Sequence, residues 1–452
     1  MNKRIILLIL LIGFIGCTGA PPQPTATPEA TRPAVTAAPS TPPSSPAGIP
    51  GSPCKTDADC IGGLKCKNFM CSIPSAEDFI GGVPSSGMGY LKPPGECEAW
   101  AKCDSKECMA ELLKVMKSEL DPATQTMKSA KESMCYLFTS PVGNIEELKR
   151  GVKLEQKYPN KIKSTWEPGA PYNRLAVHYF ATELRELGVN TYHIIPSYII
   201  DKDKKVVLTT QRYTGERAKE EVISNILRAK KEGFAVILVA GDYYPLFKVG
   251  RDDKTPINMD DYEYQMEGEA IKWAGVAEEY KVEYYAPVNE FEYYMYDNDY
   301  PIKEIHERTN KFYSRVIPKV REFYSGKIYC KVGSMDAQFD GISFRQCDLF
   351  GIGYGTFTEP PAQFAAKVAK SIIMAEAVSA RDGVPYIYGE LFVVHNNVAS
   401  FKDYYTAAIQ AYRENAKTSM GLVFMGWIQG TNEVRGTEAT PLIKELFKTM
   451  GD

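Results

Sequence analysis

Residues Val282–Glu292 read Val-Glu-Tyr-Tyr-Ala-Pro-Val-Asn-Glu-Phe-Glu. The aromatic and β-branched residues at the start of this stretch have the content of a strand, and a helix pattern follows. Asn289-Glu290 falls where the strand ends. A second stretch, Pro385–Val393, reads Pro-Tyr-Ile-Tyr-Gly-Glu-Leu-Phe-Val and carries Glu390 near the end of another strand. Two glutamates at the carboxyl ends of two strands suit chemistry in which one carboxyl donates a proton and the other attacks or activates water, as in glycosidic bond cleavage.

Working outward, strand and helix patterns alternate from about Asn144. Strands are expected at Arg150–Leu154, Val189–Ile200, Phe234–Ala240, Val282–Glu290, Lys327–Gly333, Leu349–Tyr354, Tyr386–Glu390 and Gly421–Trp427. Helices are expected at Tyr172–Leu187, Glu216–Glu232, Gln265–Tyr280, Ile302–Tyr324, Ala362–Arg381, Phe401–Asn415 and Pro441–Met450. Strands separated by amphipathic helices pair in parallel, and eight such units predict a (β/α)8 TIM barrel over residues 145–452. The alternative is an open doubly wound sheet. A dinucleotide-binding version of it would carry a Gly-rich turn after the first strand, and none is present. Met335–Gln346, between the fifth and sixth strands, has room only for a short helix. Strict alternation would put Tyr386 and Tyr388 on the same side as Glu390. Barrel interiors favour Val, Ile and Leu, so a bulge or a one-residue register change is expected there.

The N-terminal third has another character. Residues 1–17 read as an export signal, with Lys3 and Arg4 ahead of the apolar run Ile5–Ile15, which is too short to span a bilayer. Residues 18–53 are almost entirely Pro, Thr, Ala, Ser and Gly, the composition of a disordered tether. Residues 54–73 hold Cys54, Cys60, Cys66 and Cys71, none at the Cys-x2-Cys spacing of a zinc site, so a small disulfide-rich module is expected. Residues 74–144 read as a helical segment closed by disulfides among Cys97, Cys103, Cys108 and Cys135. Cys330 and Cys347 remain as a pair. With Cys17 set aside every thiol then has a partner, as an oxidising compartment favours, and none is left as a nucleophile.

The net charge of −3 and the absence of a basic cluster beyond the first residues give no electrostatic case for nucleic acid. The 28 Tyr against 4 Trp fit a cleft that needs flat faces with polar tips, and fit compositional drift equally well.

In a (β/α)8 barrel the working residues lie at the carboxyl ends of the strands. Those ends carry Tyr198, Asp242, Tyr243, Tyr244, Asn289, Glu290, Tyr354, Glu390 and Trp427. Each has a plainer reading. Glu290 is also placed as a helix N-terminal acid. Glu390 is open to pairing with a buried Arg or Lys, and Trp427 suits core packing. Glu283 and Glu292 are expected to be exposed. His178 reads as structural, His193 as packed and His395 as a solvated loop residue. Asp252, Asp253, Asp260 and Asp261 match no defined calcium loop and read as a solvated acidic loop.

Two resemblances sharpen these expectations. Phe14-Ile15-Gly16-Cys17 resembles the lipobox of prokaryotic lipoproteins, which implies lipidation at Cys17 and a domain held at the cell surface by a membrane anchor. Residues 145–452 resemble the barrel of glycoside hydrolase clan A, the retaining TIM-barrel glycosidases. That clan ends its fourth strand in Asn-Glu and its seventh in Glu, with a Tyr near the sixth and often a Trp on the eighth; Asn289-Glu290, Glu390, Tyr354 and Trp427 fall at matching places. The resemblance implies that Glu290 is the acid/base and Glu390 the nucleophile, with Asn289 on the sugar 2-hydroxyl and Trp427 under its ring. Tyr244 and Tyr198 are further candidate sugar contacts. It implies a carbohydrate substrate, a monomer, and no metal or organic cofactor. The flanks of Glu390 depart from the common clan patterns. The competing reading is a non-catalytic carbohydrate- or protein-binding surface lipoprotein on the same scaffold. A glutamate locked to a buried cation would remove the hydrolase reading and leave only an anchored barrel.

Overall fold

The computed structural model describes residues 65–67, 70–72 and 142–451, except 168–172, 174–175, 179, 211–212, 244–248, 252–254, 256, 334–338, 357–358, 394–399 and 428–433. The proposed signal, lipidation site and tether, and residues 74–141 of the expected helical disulfide segment, lie outside the described residues. Of residues 54–73, only two short strands are described, β1 (Lys65–Lys67) and β2 (Met70–Ser72), paired antiparallel with Cys66 opposite Cys71.

Eight parallel strands close into a barrel. In chain order they are β3 (Ile162–Trp166), β4 (Thr191–Ile194), β7 (Ala235–Val239), β11 (Tyr284–Ala286), β12 (Lys327–Lys331), β13 (Leu349–Thr356), β14 (Tyr386–Val393) and β15 (Gly421–Met425), with β15 pairing back onto β3. Outside the barrel, β5 (Ser197–Ile200), β6 (Val206–Thr209) and β8 (Asp242–Tyr243) form a three-stranded sheet, and β9 (Val249–Gly250) pairs with β10 (Ile257–Asn258).

The helices are α1 (Ile145–Arg150), α2 (Ala181–Leu187), α3 (Gly215–Lys231), α4 (Met259–Glu279), α5 (Phe291–Tyr296), α6 (Ile302–Arg321), α7 (Pro361–Asp382), α8 (Phe401–Asn415) and α9 (Ala439–Thr449). Their ends follow the residues. Asn258 and Ser400 cap α4 and α8 by accepting from the backbone N–H groups of Asp261 and Asp403. The helix α7 begins at Pro361 and stops at Gly383 in the left-handed region. Among the described residues between β12 and β13 there is a short 3-10 turn, Phe339–Gly341, in the stretch where the sequence has room only for a short helix.

The core divides in two. Ile162, Trp166, Ile237, Val239, Tyr284, Ala286, Tyr329, Ile387 and Val423 fill the barrel, while a larger cluster lies between barrel and helices. The Cys330–Cys347 disulfide forms, tying β12 to the segment before β13.

Two expected strands need correction. Arg150–Leu154 is not the first strand: α1 occupies its start, and the strand is Ile162–Trp166. The run Ile-Lys-Ser-Thr-Trp is wholly buried despite its polar residues, so it lacks the hydrophobic signature that alternation rules detect. Val189–Ile200 is not one strand. It breaks at Ile195-Pro196, and Ser197–Ile200 leaves the barrel for the outer sheet.

Candidate active site at the carboxyl end of the barrel

Four adjacent strands build the site. At the end of β11 the chain runs beside β12, with Asn289 bridged to Lys331 and the Glu290 N–H donating to the Lys331 carbonyl at 3.2 Å. Glu290 then turns into the left-handed region, at φ 44° and ψ 52°, and α5 starts at the next residue. A side chain there costs about 1–3 kcal/mol in the backbone, a strain that concentrates at functional sites.

Glu390 arrives by another device. Tyr386 and Tyr388 pack on the outer face of β14, whereas Ile387 points into the barrel. Ile352 pairs with Tyr388 but Gly353 pairs with Glu390, so Gly389 is an extra residue. That bulge is the register change expected from the sequence, and it aligns Glu390 with the barrel's polar end. The neighbouring glycines make room. A Cβ on Gly353 would run into the Glu390 side chain, and one on Gly351 or Gly389 would run into the Tyr329 hydroxyl.

The sequence reading missed the group that joins the two carboxylates. Lys331 is 1% exposed and gives hydrogen bonds to Asn289 Oδ1 at 2.9 Å, to Glu390 Oε2 at 2.8 Å and to Glu290 Oε1. An ammonium has three donors, and all three are used. Two oxygens bonded to one nitrogen lie at most about 6 Å apart, so both carboxylates converge on one place. They are more open than the amine: 24% of the Glu290 side chain and 14% of Glu390 are exposed. The lysine therefore supports the pair from beneath. The signal was available, since β12 reads Lys-Ile-Tyr-Cys-Lys and period-two alternation puts Tyr329 and Lys331 on one face.

Charge follows from this packing. Burial works to discharge Lys331, but Glu290 and Glu390 outweigh it and hold its pKa above the ordinary lysine value. Burial pushes the Glu390 carboxyl up, opposed by Lys331 and reinforced by Glu290. His193 is fully buried beside Trp166 and Tyr329, and burial, with Lys331 adding to it, holds its pKa well below the usual range, so it is neutral.

Glu292 corrects another expectation. It is 3% exposed, not on the surface, and its Oε1 accepts from the Gly333 N–H. Burial, with the Glu290 charge adding to it, pushes its carboxyl up to about 8. Glu283 is buried as well, at the other end of the barrel strand, paired with Lys230 at 2.6 Å and accepting from Val236 and Lys157 N–H groups.

The remaining expected contacts divide. Trp427 is 3% exposed against Phe424, which is packing rather than a free stacking face, and its backbone N–H donates to Glu167 Oε1 at 2.5 Å. Glu167 went unnoticed because the first strand was misplaced. Tyr198 sits in the outer sheet with its hydroxyl on Glu269 and Trp273, and is not brought to the glutamate pair. Tyr354 lies on β13 opposite Leu391, one residue beyond the Gly353–Glu390 pairing, and its side chain is outside the described residues, as is Tyr244. Among the described residues, no group of three or more His, Cys, Asp or Glu is arranged to hold a metal ion.

No protein-family model matches the chain, and no curated protein matches it. Solved structures do. A GH113 β-1,4-mannanase superposes with a TM-score of 0.49 at 15% identity, covering 64% of this chain and 100% of its own. A GH113 β-mannanase from Alicyclobacillus acidocaldarius gives 0.48 at 11% identity, covering 65% and 98%. The β-glycosidase from the hyperthermophile Thermosphaera aggregans gives 0.48 at 11% identity, covering 65% and 97%.

Proposed function

We propose that the barrel is a retaining glycoside hydrolase acting on an extracellular oligo- or polysaccharide, displayed at the cell surface by a lipid on Cys17. The observation that carries this reading is the convergence of the Glu290 and Glu390 carboxylates on one nitrogen at the carboxyl end of the barrel. That bound, set on one oxygen of each carboxylate, is compatible with the ~5 Å separation of retaining chemistry. In this reading Glu390 attacks the anomeric carbon while Glu290 protonates the leaving oxygen. Water then releases the sugar with Glu290 as base. Asn289 is positioned to meet the 2-hydroxyl once Lys331 shares it.

Lys331 favours a second reading. An ammonium bonded to both carboxylates stands in for the proton that such a pair ordinarily shares, and two ionised glutamates with one lysine already carry a net charge of −1. The binding reading takes this network as closed, with a sugar held and never cut. Two features support hydrolysis instead. The lysine is buried below the pair rather than above it, and it engages only one oxygen of each carboxylate.

The two readings part on a 2-fluoroglycoside that accumulates as a glycosyl-enzyme. Hydrolysis predicts a covalent adduct on Glu390 and loss of turnover in both Glu290→Gln and Glu390→Gln. Sugar binding with no adduct and no cleavage across a panel of glycosides leaves the binding module.

A further inference from the structure

With Lys331 compensating the pair, a hydrolase still needs a proton to give, and the structure offers one place for it. Glu292 lies two residues beyond Glu290, buried at the start of α5. Its Oε1 accepts from the Gly333 N–H, while its Oε2 is buried without a hydrogen-bond partner. A buried ionised carboxylate left that way is costly, and the protonated form avoids the cost. Lys331 gives Glu292 no hydrogen bond, because its three donors are given to Asn289, Glu290 and Glu390, and its charge offsets the burial only in part. A Cβ on Gly333 would lie 3.4 Å from Glu292 Oε1 and 3.6 Å from Glu290 Oε2, so the two carboxyls flank the same glycine. Among the described residues, the titratable groups that act on Glu292 are Glu290 on its own turn, Lys331 at the end of β12 and the buried Tyr313 from α6.

We propose that Glu292 is a positioning residue that stores the site's proton at neutral pH and shares it with Glu290. What that proton is for rests on the hydrolase reading. In the first step the Glu292 O–H bond breaks as an O–H bond forms on a Glu290 oxygen, directly or through one water. Glu290 passes its proton to the leaving oxygen, and Glu292 becomes a carboxylate. In the second step the attacking water loses a proton to Glu290, which returns it to Glu292, so the cycle closes with no outside reagent.

The test uses the full chain and the infrared carbonyl stretch of a protonated carboxylic acid. At pH 7 the wild type shows this band, and it titrates away near pH 8, following the raised carboxyl at about 8. Glu292→Gln removes the component that titrates near pH 8, and any contribution of the raised Glu390 and Glu283 carboxyls stays. Glu290→Gln keeps that component but moves its midpoint to lower pH, because a neighbouring negative charge has gone. If Glu292→Gln does not fold, Glu292→Asp retains a titrating band with a changed midpoint, and Glu290→Gln still reads the coupling. A wild type with no component titrating near pH 8, such a component surviving in Glu292→Gln, or a midpoint untouched in Glu290→Gln overturns the proposal. Where the wild type cleaves a glycoside, the alkaline limb of kcat/KM follows the same midpoint and Glu292→Gln loses that limb. If the band behaves as stated while no glycoside is cut, the hydrolase reading fails and the proton store stands.

Discussion

Glu292 shows what a single buried carboxyl does to the whole chain. Its ordinary value is 4.5, and burial beside Glu290 pushes it up to about 8 in the fold. Between those values the folded chain binds more protons than the unfolded one, so stability falls as pH rises through that window and levels off above it. The slope reaches at most about 1.4 kcal/mol per pH unit for one group. Glu390 is raised too and acts in the same direction, so the comparison is by difference. Lys331 is raised above 10.5, and its contribution is fully present at every lower pH, so it adds no slope in this window. Urea unfolding at pH 5 and pH 8 is expected to show a wild type that loses stability with rising pH and a Glu292→Gln variant that loses less; equal losses would contradict the assignment. Lys331→Met tests the neighbouring group. It leaves two carboxylates facing each other without compensation, and removing one partner from a buried ion pair costs about 3–5 kcal/mol. Because Glu290 and Glu390 are partly exposed, the loss is expected at the low end and smaller at acid pH.

At the scale of elements, the site depends on glycine where β13 meets β14. Gly353→Ala sets a methyl against the Glu390 side chain. Overpacking of this kind costs about 1–3 kcal/mol, and the larger expected effect is displacement of Glu390, read as a loss of carbohydrate labelling that exceeds the loss in thermal stability. At the opposite end of β11, Glu283 is buried and holds Lys230, with two backbone N–H groups completing its shell. Lys230→Met is expected to cost about 3–5 kcal/mol in urea unfolding while leaving the distant glutamate pair's labelling unchanged. The elements themselves were largely legible. Phe401–Asn415 is a helix at the bounds its amphipathic pattern gives, and the bulge before Glu390 follows from Tyr386, Tyr388 and Glu390 standing two residues apart. The first strand was not legible, because Ile162–Trp166 is covered on both faces and buries Lys163, Ser164 and Thr165, so neither face shows the apolar row that alternation looks for. The break after Ile194 was missed for a different reason: both halves of Val189–Ile200 have strand content, and only Pro196 separates them.

On the scale of the whole molecule, alternation of eight strands with helices fixed a closed parallel barrel, and barrel geometry then placed strands four and seven so that their ends meet. That is why Glu290 and Glu390, a hundred positions apart in sequence, could be paired from the sequence alone. What joins them could not be read as easily. Lys331 looks like any strand-end lysine until closure aims it at both glutamates, and Glu292 looks exposed until α5 turns it beneath Gly333. Trp427 shows the converse, since its position on the last strand suited a sugar platform and its burial against Phe424 does not. The account therefore turns on whether the Glu290–Lys331–Glu390 cluster performs a displacement or only holds a ligand. Incubating the full-length protein with a panel of 2-fluoroglycosyl donors of differing sugar, followed by peptide mass spectrometry, separates the two. Displacement predicts a glycosyl adduct on the peptide carrying Glu390, lost in Glu390→Gln. A protein that binds oligosaccharide yet forms no adduct and cleaves no glycoside, at any pH from 4 to 8, would contradict it.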